Sequence, residues 1–421
     1  MNRLYLLLKL NRLESNQINN LGMGLLSFGQ IFSWAGLFYV FAAFLVTWEN
    51  NLLWSKAELT LGFSLAIFVS AISAPLIGKL IDNGFGKWVM LIGALVGSIA
   101  LFSITIEGEY FSFILAWIII GFAQSACLYE ACFSHVLKLK PSESRRVMTH
   151  VSIIAGLAPS VAFVFGALLT SFYSWQIAIK IFSIGVAVLA APTLFLGGLI
   201  FEYPKGDLDS VRKSQREKLN SFGVFNKPIF WLIGGSFFLI AINHGILTNH
   251  LIPILMDRGS GYSFAIITAS LIGPAQIIGR LVLLKFGLGF PVSVVTLVSF
   301  AGLFSAAVFL LIADVNISLV LVFAATQGAF WGMISIVRPL MTAEFFGVNF
   351  IGAISGLIAL PFLFGFSIAP YLGSLVWGVG GYNFVILLSI VSAFLSTVIA
   401  FYIVIFQRKN VIALDKDKEF N

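Results

Sequence analysis

The sequence predicts an all-α membrane protein whose twelve transmembrane helices form two bundles of six helices. Three observations support this fold class. The 421 residues are 59% hydrophobic and only 10% charged, whereas soluble domains carry about 25% charged residues. The apolar residues form continuous runs of about 20 residues, the length that spans a bilayer core about 30 Å thick. Because apolar and polar positions do not alternate within the runs, they predict helices and exclude membrane β-strands.

A polar stretch near the middle of the chain divides the apolar runs into two equal sets. We predict an interfacial N-terminal segment over residues 1–23, a first half over 24–201, a linker over 202–227, a second half over 228–407 and a tail over 408–421. Leucines mix with basic residues in the first segment. Its apolar part is too short to cross a membrane, and no signal-peptide cleavage site follows it.

Each half contains six predicted spans. Those of the first half lie near residues 24–48, 58–80, 88–106, 111–137, 148–171 and 176–201. Those of the second half lie near residues 228–255, 263–284, 291–313, 318–342, 349–377 and 382–407.

The distribution of Lys and Arg predicts the orientation of the chain. The linker and both ends of the chain are rich in basic residues, whereas the opposite side keeps little beyond Lys56, Lys180 and Arg258. We therefore expect a multi-pass protein of the cell (inner) membrane with both termini in the cytoplasm. The net charge of +7 then reflects topology, and we expect no nucleic-acid partner.

Several kinds of chemistry lack the residues that they need. Cys127 and Cys132 lie five residues apart in one apolar run and predict neither a disulfide nor a metal site. The phosphate loop G-x-x-x-x-G-K-[ST] is missing from the sequence, which argues against direct use of ATP. No nucleophile–base set is recognisable, so we expect neither an enzyme nor a bound cofactor.

The most informative stretch is GKLIDNGFGK at residues 78–87, between the second and third predicted spans. It places one acid, Asp82, among closely spaced glycines and lysines at a membrane surface. We interpret Gly78, Asp82, Gly86 and Lys87 as a conformational latch that joins two helices while letting them move. The alternative is an ordinary interfacial acid.

The second half contains an echo of this stretch. Residues 74–79 (APLIGK) resemble residues 274–280 (PAQIIGR), and each run ends the second span of its half. Two six-span halves related by an axis along the membrane normal fit this pattern. Since Leu283 stands where the first half has Asp82, we expect a one-sided latch, with Arg280 as the basic remnant of a second one.

With these features the chain resembles the major facilitator superfamily, whose signature loop also lies between spans two and three. That loop usually has its second glycine three residues after the acid, whereas Gly86 follows Asp82 by four. Within the superfamily, the chain resembles bacterial relatives of the monocarboxylate transporters. The stretches that carry this resemblance are WSKAE at 54–58, YEACF at 129–133, NHLIP at 249–253, residues 328–338 and EFFG at 344–347.

The resemblance implies the major facilitator fold and secondary active transport of a small organic solute by alternating access. It favours a monocarboxylate-type organic anion as substrate, proton coupling, and a monomer in the lipid bilayer. Two alternatives stay open. One is a drug or metabolite exporter of the same fold, since GLAPS at residues 156–160 is a fragment of an exporter signature. The other is a membrane sensor that does not transport.

In this fold, spans one, four, seven and ten line the central cavity, and two of them carry a charged residue. Glu130 lies in span four, about 12 Å from the membrane surface by helical rise. A desolvated carboxylate there would hold a proton and serve proton coupling. Arg338, at a matching depth in span ten, would bind a substrate carboxylate bidentately. We expect the two side chains to face each other, and an interhelical ion pair is the alternative role of both.

Five further residues are weaker candidates for substrate contact: His250, Asn249, Gln30, Trp34 and Arg280. Arg280 ends span eight, and monocarboxylate transporters place a partner acid four residues before such an arginine. Here Gln276 occupies that position. We therefore expect Arg280 to reach the membrane surface or to support a loop at least as readily as it binds substrate.

Replacing Asp82 by Asn removes the charge of the proposed latch and keeps its size. We expect the rate of uptake into vesicles to fall severalfold while the amount of inserted protein stays unchanged, since the latch acts on the transport cycle. A normal uptake rate in Asp82→Asn vesicles would contradict the latch interpretation.

Overall fold

The computed structural model describes residues 15–106, 109–202, 226–286, 289–314, 316, 318–346 and 351–419. These residues are almost entirely helical, and none of them forms a β-strand, which confirms the predicted fold class. Residues 1–14 of the interfacial segment, most of the predicted linker and the last two residues of the tail lie outside the described residues.

The spans of the first half are single helices or helices divided by one break. Span 1 comprises Ser15–Trp34 and Val40–Leu52, joined by the π-turn Ala35–Tyr39. Span 2 is Lys56–Leu80, span 3 is Gly86–Ser103, and span 4 comprises Tyr110–Cys127 and Tyr129–Leu139. Span 5 comprises Pro141–Ala155 and Ala158–Phe172, and span 6 comprises Trp175–Gly185, the π-turn Val186–Ala190 and Ala191–Phe201.

The second half has longer uninterrupted helices. Span 7 is Pro228–Asp257, span 8 is Tyr262–Phe286, span 9 is Val292–Leu311 and span 10 is Ser318–Phe346. Spans 11 and 12 together form the helical stretch Ile351–Glu419. Among the described residues, eleven helices are long and apolar enough to cross a membrane.

The last of these helices reverses direction at Gly380 and Gly381. Gly381 has a φ of 67°, a left-handed conformation that glycine adopts without steric cost. Before the two glycines, the helix runs parallel to span 7, because residue numbers increase together in the contacting pairs Gly234–Pro361 and His250–Pro370. After them, the contacts run in opposite directions and pair Asn243 with Ser389 and Ser236 with Ser396. The described part of the chain therefore makes twelve crossings, as predicted.

Two helix breaks position residues near the centre of the molecule. Leu128 has an extended conformation (φ −82°, ψ −165°) and interrupts span 4, so that Glu130 lies in the first turn of a new helix. An acid in the first turn interacts favourably with the helix dipole. Span 5 is interrupted at Gly156 and Leu157, just before Pro159, because a proline lacks the N–H that continues the helical hydrogen bonds.

Neighbouring helices approach at backbone distance where glycine is present. A Cβ atom on Gly279 of span 8 would lie 1.9 Å from the carbonyl oxygen of Ala329 in span 10. A Cβ atom on Gly121 of span 4 would lie 2.1 Å from the carbonyl oxygen of Ala66 in span 2. Small residues at helix crossings are typical of membrane bundles, in which van der Waals packing holds the helices together.

Replacing Gly279 by Ala would force spans 8 and 10 apart. We expect a loss of about 1–3 kcal/mol in the free energy of unfolding, the usual cost of overpacking, measured as a lower unfolding temperature in detergent. Gly185→Ala is the matched control, because a Cβ atom there meets no atom within 4 Å. Equal unfolding temperatures for the two variants would contradict the close helix contact.

Candidate functional site

Polar and cation–π contacts join the two halves at one side of the membrane. We call the side at which span 1 begins the amino-terminal side, and the other the far side. At the far side, Lys56 Nζ of span 2 lies 2.7 Å from Glu49 Oε1 and 3.8 Å above the ring of Trp377 in span 11. One turn deeper, the hydroxyl oxygens of Thr60 and Ser374 are 2.8 Å apart. Because spans 2 and 11 belong to different halves, these contacts close the far side.

Aromatic side chains line the space between the halves below this closure. The rings of Phe38 and Phe366 lie 5.7 Å apart, and among the described residues this is the ring contact that joins the halves. From it, aromatic residues extend toward the amino-terminal side on both halves. We call Trp34, Tyr39 and Tyr129 of the first half the first wall, and Trp331 and Phe362 of the second half the second wall.

The first wall is centred on Trp34. Its ring lies 4.7 Å from that of Tyr129 and 6.2 Å from that of Tyr39. All three side chains are partly exposed, although spans 1 and 4 lie inside the bundle. The indole Nε1 of Trp34 is buried and has no hydrogen-bond partner among the described residues. The first wall therefore offers an unused donor beside its aromatic faces.

The second wall is a stack of nearly parallel planar groups. The ring of Trp331 lies 3.6 Å from the imidazole of His244 at an angle of 11°, and 5.9 Å from the ring of Phe362 at 18°. Gln327 Nε2 lies 3.1 Å from Nδ1 of this imidazole and fixes the orientation of the ring. At the other end, the guanidinium carbon of Arg338 lies 4.5 Å from the centre of Phe362, a cation–π geometry. These contacts hold the second wall in a defined orientation.

The structure brings Glu130 and Arg338 together at the amino-terminal end of the walls. Arg338 Nη2 lies 3.9 Å from Glu130 Oε1, which joins spans 4 and 10. The Arg338 side chain is 21% exposed and that of Glu130 is 57% exposed. We expected a desolvated carboxylate from its depth in span 4. Glu130 is instead solvated, because it follows the break at Leu128 and lies where the space between the halves opens.

Arg280 is buried at the contact between the halves, with only 4% of its surface exposed. Its Nε donates to the carbonyl oxygen of Gly332 at 3.2 Å, and Nη2 donates to Gln276 Oε1 at 3.3 Å. Nη1 donates to the carbonyl oxygen of Ser152 in span 5, which belongs to the other half. Our expectation that Arg280 reaches the membrane surface is therefore wrong.

The break in span 5 provides the seat for this guanidinium group. At Gly156 the chain leaves the helix, and a Cβ atom there would lie 3.0 Å from Arg280 Nη1. The missing side chain thus lets Arg280 approach the backbone of span 5. This contact gives a structural role to a glycine that sequence analysis connected only with an exporter signature.

All three acceptors of Arg280 are uncharged oxygens. Among the described residues, no carboxylate lies within ion-pair distance of its guanidinium group. Three of its five N–H groups are used by the bonds above, and Gln276 Nε2 is buried without a partner. Tyr39 lies near Gln276 and, like Tyr129, lies close enough to Arg280 to interact with its charge. We call Arg280, Gln276 and Tyr39, with the adjacent Trp34, the donor cluster.

Three other candidates lie in helix contacts and not on the cavity walls. Gln30 Nε2 donates to the carbonyl oxygen of Cys127 at 2.8 Å and joins spans 1 and 4. His250 is fully buried, with Nε2 2.9 Å from the carbonyl oxygen of Pro370 in span 11. Asn249 Nδ2 donates within its own helix, to Gly245. The neighbouring backbone accepts one hydrogen bond from each of the three side chains, whereas Gln30 Oε1, Asn249 Oδ1 and His250 Nδ1 are buried without a partner among the described residues.

The stretch at residues 78–87 is tied to spans 4 and 6 of its own half. The π-turn Ile81–Phe85 accommodates the additional residue before Gly86. Gly86 packs on the imidazole of His135, since a Cβ atom would lie 2.1 Å from its Nδ1. Lys87 forms an ion pair with Glu202. The side chain of Asp82 lies outside the described residues, and Gly78 has open space around it.

Several of these residues are not recognisable as functional from the sequence. They are His135, which packs against Gly86, and Tyr129, Trp331 and Phe362 of the walls. In a chain with 15% aromatic residues, the distinguishing signal of Tyr129 and Trp331 is that they lie on the spans that carry Glu130 and Arg338, whereas Phe362 of span 11 has no such signal.

The comparisons with known proteins fit this architecture. A family model described as the Major Facilitator Superfamily matches residues 26–292. The chain belongs to the Major Facilitator Superfamily. The superfamily predicted from the signature loop is thereby confirmed. No curated protein matches the chain.

Solved structures of other superfamily members share the fold at low sequence identity. The nucleoside transporter NupG in a mutant form has a TM-score of 0.71 at 16% identity, over 91% of this chain and 98% of its own. Unmutated NupG has a TM-score of 0.69 at the same identity and coverage. A bacterial homolog of the human lysosomal transporter Spinster, in an inward-facing and occupied conformation, has a TM-score of 0.63 at 14% identity. The match covers 90% of this chain and 95% of the homolog.

Replacing Trp377 by Ala should loosen the far side, because Lys56 loses the ring on which it rests. A cation–π contact of about 1 kcal/mol corresponds to a shift of roughly fivefold between closed and open forms. A cysteine introduced at Ser64, two turns below Lys56, should then react severalfold faster with an impermeant maleimide. Trp88→Ala, on the outer surface of span 3, is the control. Unchanged labelling in Trp377→Ala would contradict this closure.

Proposed function

We propose that the protein is a secondary active transporter that moves a small organic anion of the monocarboxylate type by alternating access, with proton coupling. The observation that carries this proposal is the buried guanidinium group of Arg280, which has only neutral acceptors among the described residues. Burial of an uncompensated charge costs several kcal/mol, so buried charges are normally paired. A bound carboxylate would supply the missing charge.

The donor cluster suits a carboxylate in its chemistry. Among the described residues, two N–H groups of Arg280, the amide of Gln276 and the indole N–H of Trp34 are donors without an acceptor, and a carboxylate has only acceptors. Arginine binds carboxylates through two parallel hydrogen bonds, which adds geometric selectivity to the charge attraction. An uncharged solute would leave the charge of Arg280 without a counterion.

This proposal reverses the order of the two arginines that the sequence favoured. Arg338 already has a carboxylate at 3.9 Å, whereas Arg280 has none within ion-pair distance among the described residues. We assign the primary substrate contact to Arg280 and a secondary one to Arg338. His250, Asn249 and Gln30 then support the helices around the site and do not contact the substrate.

Glu130 is the group that we assign to proton coupling. Its solvated carboxylate can exchange protons with water at the amino-terminal side and lies beside Arg338. Protonation of Glu130 would remove the counterion of Arg338 and free its guanidinium group for an arriving anion. Proton binding and anion binding would thereby favour each other, as symport requires.

The orientation is also part of the proposal. We place the protein in the inner membrane with both termini in the cytoplasm. The open amino-terminal side then faces the cytoplasm, and the closed far side faces outward. We propose that one chain suffices, since both halves of the site come from a single polypeptide. The exporter alternative rests on GLAPS at residues 156–160, in which Gly156 also has a structural role beside Arg280.

Uptake by reconstituted vesicles, measured with a panel of labelled carboxylates with and without a pH gradient, tests the proposal. We expect Arg280→Gln to weaken substrate binding about 10–100-fold, the loss that corresponds to a charge-assisted hydrogen bond of about 1.5–3 kcal/mol. Arg280→Lys, which keeps the charge but not the fork of donors, should be intermediate.

Arg146→Gln is the matched control, because Arg146 is an exposed arginine at the amino-terminal side that contacts Asn20. Its uptake should equal that of the unmodified protein. Uptake by Arg280→Gln with an unchanged KM, in protein that elutes as a single species in detergent, would contradict anion binding at Arg280. Accumulation that ignores the pH gradient would contradict proton coupling.

A further inference from the structure

The incomplete burial of the two aromatic walls indicates a gap between them. They belong to different halves, and among the described residues their rings meet only through Phe38 and Phe366. Trp34, Tyr129, Trp331 and Phe362 remain partly exposed although they lie inside the bundle. Since the far side is closed, this exposure is toward the space that opens at the amino-terminal side.

Contacts with neighbouring rings fix the orientation of the tryptophan rings in both walls. Trp331 is held between the buried imidazole of His244 and the ring of Phe362 at interplanar angles of 11° and 18°. Trp34 is held between Tyr129 and Phe38, whose rings lie at 4.7 and 5.0 Å. A short aliphatic acid requires neither planarity nor aromatic character in its surroundings, and leucine or valine side chains would serve it equally well.

Trp34 connects the walls with the donor cluster. Its ring lies 6.2 Å from that of Tyr39, which lies near Gln276 and Arg280, and its indole N–H has no acceptor among the described residues. On the other half, Arg280 Nε donates to the carbonyl oxygen of Gly332, which follows Trp331 of the second wall in the chain. A ligand whose carboxylate binds Arg280 would therefore have its organic part near both walls.

On the basis of the anion transport proposed above, we propose that the substrate is an aromatic carboxylate, with its planar ring between the two walls and its carboxylate on Arg280. Aromatic pairs prefer offset-stacked or edge-to-face arrangements. Because neighbouring groups cover ring faces of both walls, the ligand ring would meet mainly their exposed edges. Selectivity for an aromatic over a saturated ring then comes from the walls, and selectivity for an anion comes from the donor cluster.

Benzoate and cyclohexanecarboxylate separate these two contributions. They share the carboxylate and have similar size, but only benzoate is planar and aromatic. In calorimetric titrations of the purified full-length protein, we expect benzoate to bind at least tenfold more tightly. Lactate should bind more weakly than benzoate, and benzyl alcohol, which has the ring without the charge, should not bind detectably.

Substitutions then assign each contribution to its residues. Trp331→Leu should abolish the preference for benzoate while binding of cyclohexanecarboxylate stays within about twofold, and Trp331→Phe should restore most of the preference. Arg280→Gln should weaken both ligands to a similar extent. Trp88→Leu, which changes an exposed tryptophan that packs on Phe195 outside the site, should change neither affinity.

The outcomes distinguish the two proposals. Equal binding of the two ring acids, or tighter binding of lactate, with loss in Arg280→Gln, would overturn the aromatic specificity and leave anion transport intact. Binding of benzyl alcohol or of an uncharged nucleoside that is unaffected by Arg280→Gln would overturn both. A preference for benzoate that persists in Trp331→Leu would overturn the role of the second wall, and with it the inference.

Discussion

The hydrogen bonds of Arg280 are the interaction on which the central part of the structure depends. One guanidinium group of span 8 binds span 10 through Gly332 and reaches span 5 of the other half through Ser152. These bonds require carbonyl oxygens at the centre of an apolar bundle, where backbone groups are normally used within helices. The break at Gly156 and the close approach of spans 8 and 10 meet that requirement. The charge that these bonds hold between the halves is the basis of the anion selectivity that we propose.

The two ends of the interface between the halves differ in the kind of contact that they make. At the far side, Lys56 rests on Trp377 and the Thr60–Ser374 pair lies beneath it, so short contacts exclude solvent. At the amino-terminal side, Glu130 and Arg338 approach each other, and the side chain of Glu130 remains 57% exposed. Alternating access needs such a difference, because one end of the interface must open while the other end stays closed.

The fold was predictable because the bilayer imposes it. Span length and orientation follow from membrane thickness and from the distribution of Lys and Arg, and both are legible in a single sequence. The site was only partly predictable. The pairing of Glu130 with Arg338 followed from matching depths in spans 4 and 10. The role of Arg280 was hidden, because its acceptor Ser152 is 128 residues away and the substitution of Gln276 for an acid suggested a lost function. Which face of span 7 His250 occupies depends on packing against span 11.

The missing counterion of Arg280 also has an electrical consequence. Without a bound anion, the centre of the protein carries one positive charge more than it does with a carboxylate in place. A unit charge that crosses the entire membrane field couples to about 2.3 kcal/mol per 100 mV, and a charge that traverses part of the field couples in proportion. The proton that we propose on Glu130 restores the charge that the carboxylate cancels at Arg280. In the proposed symport, the loaded and the empty carrier would therefore have the same net charge, and membrane voltage would favour neither step over the other.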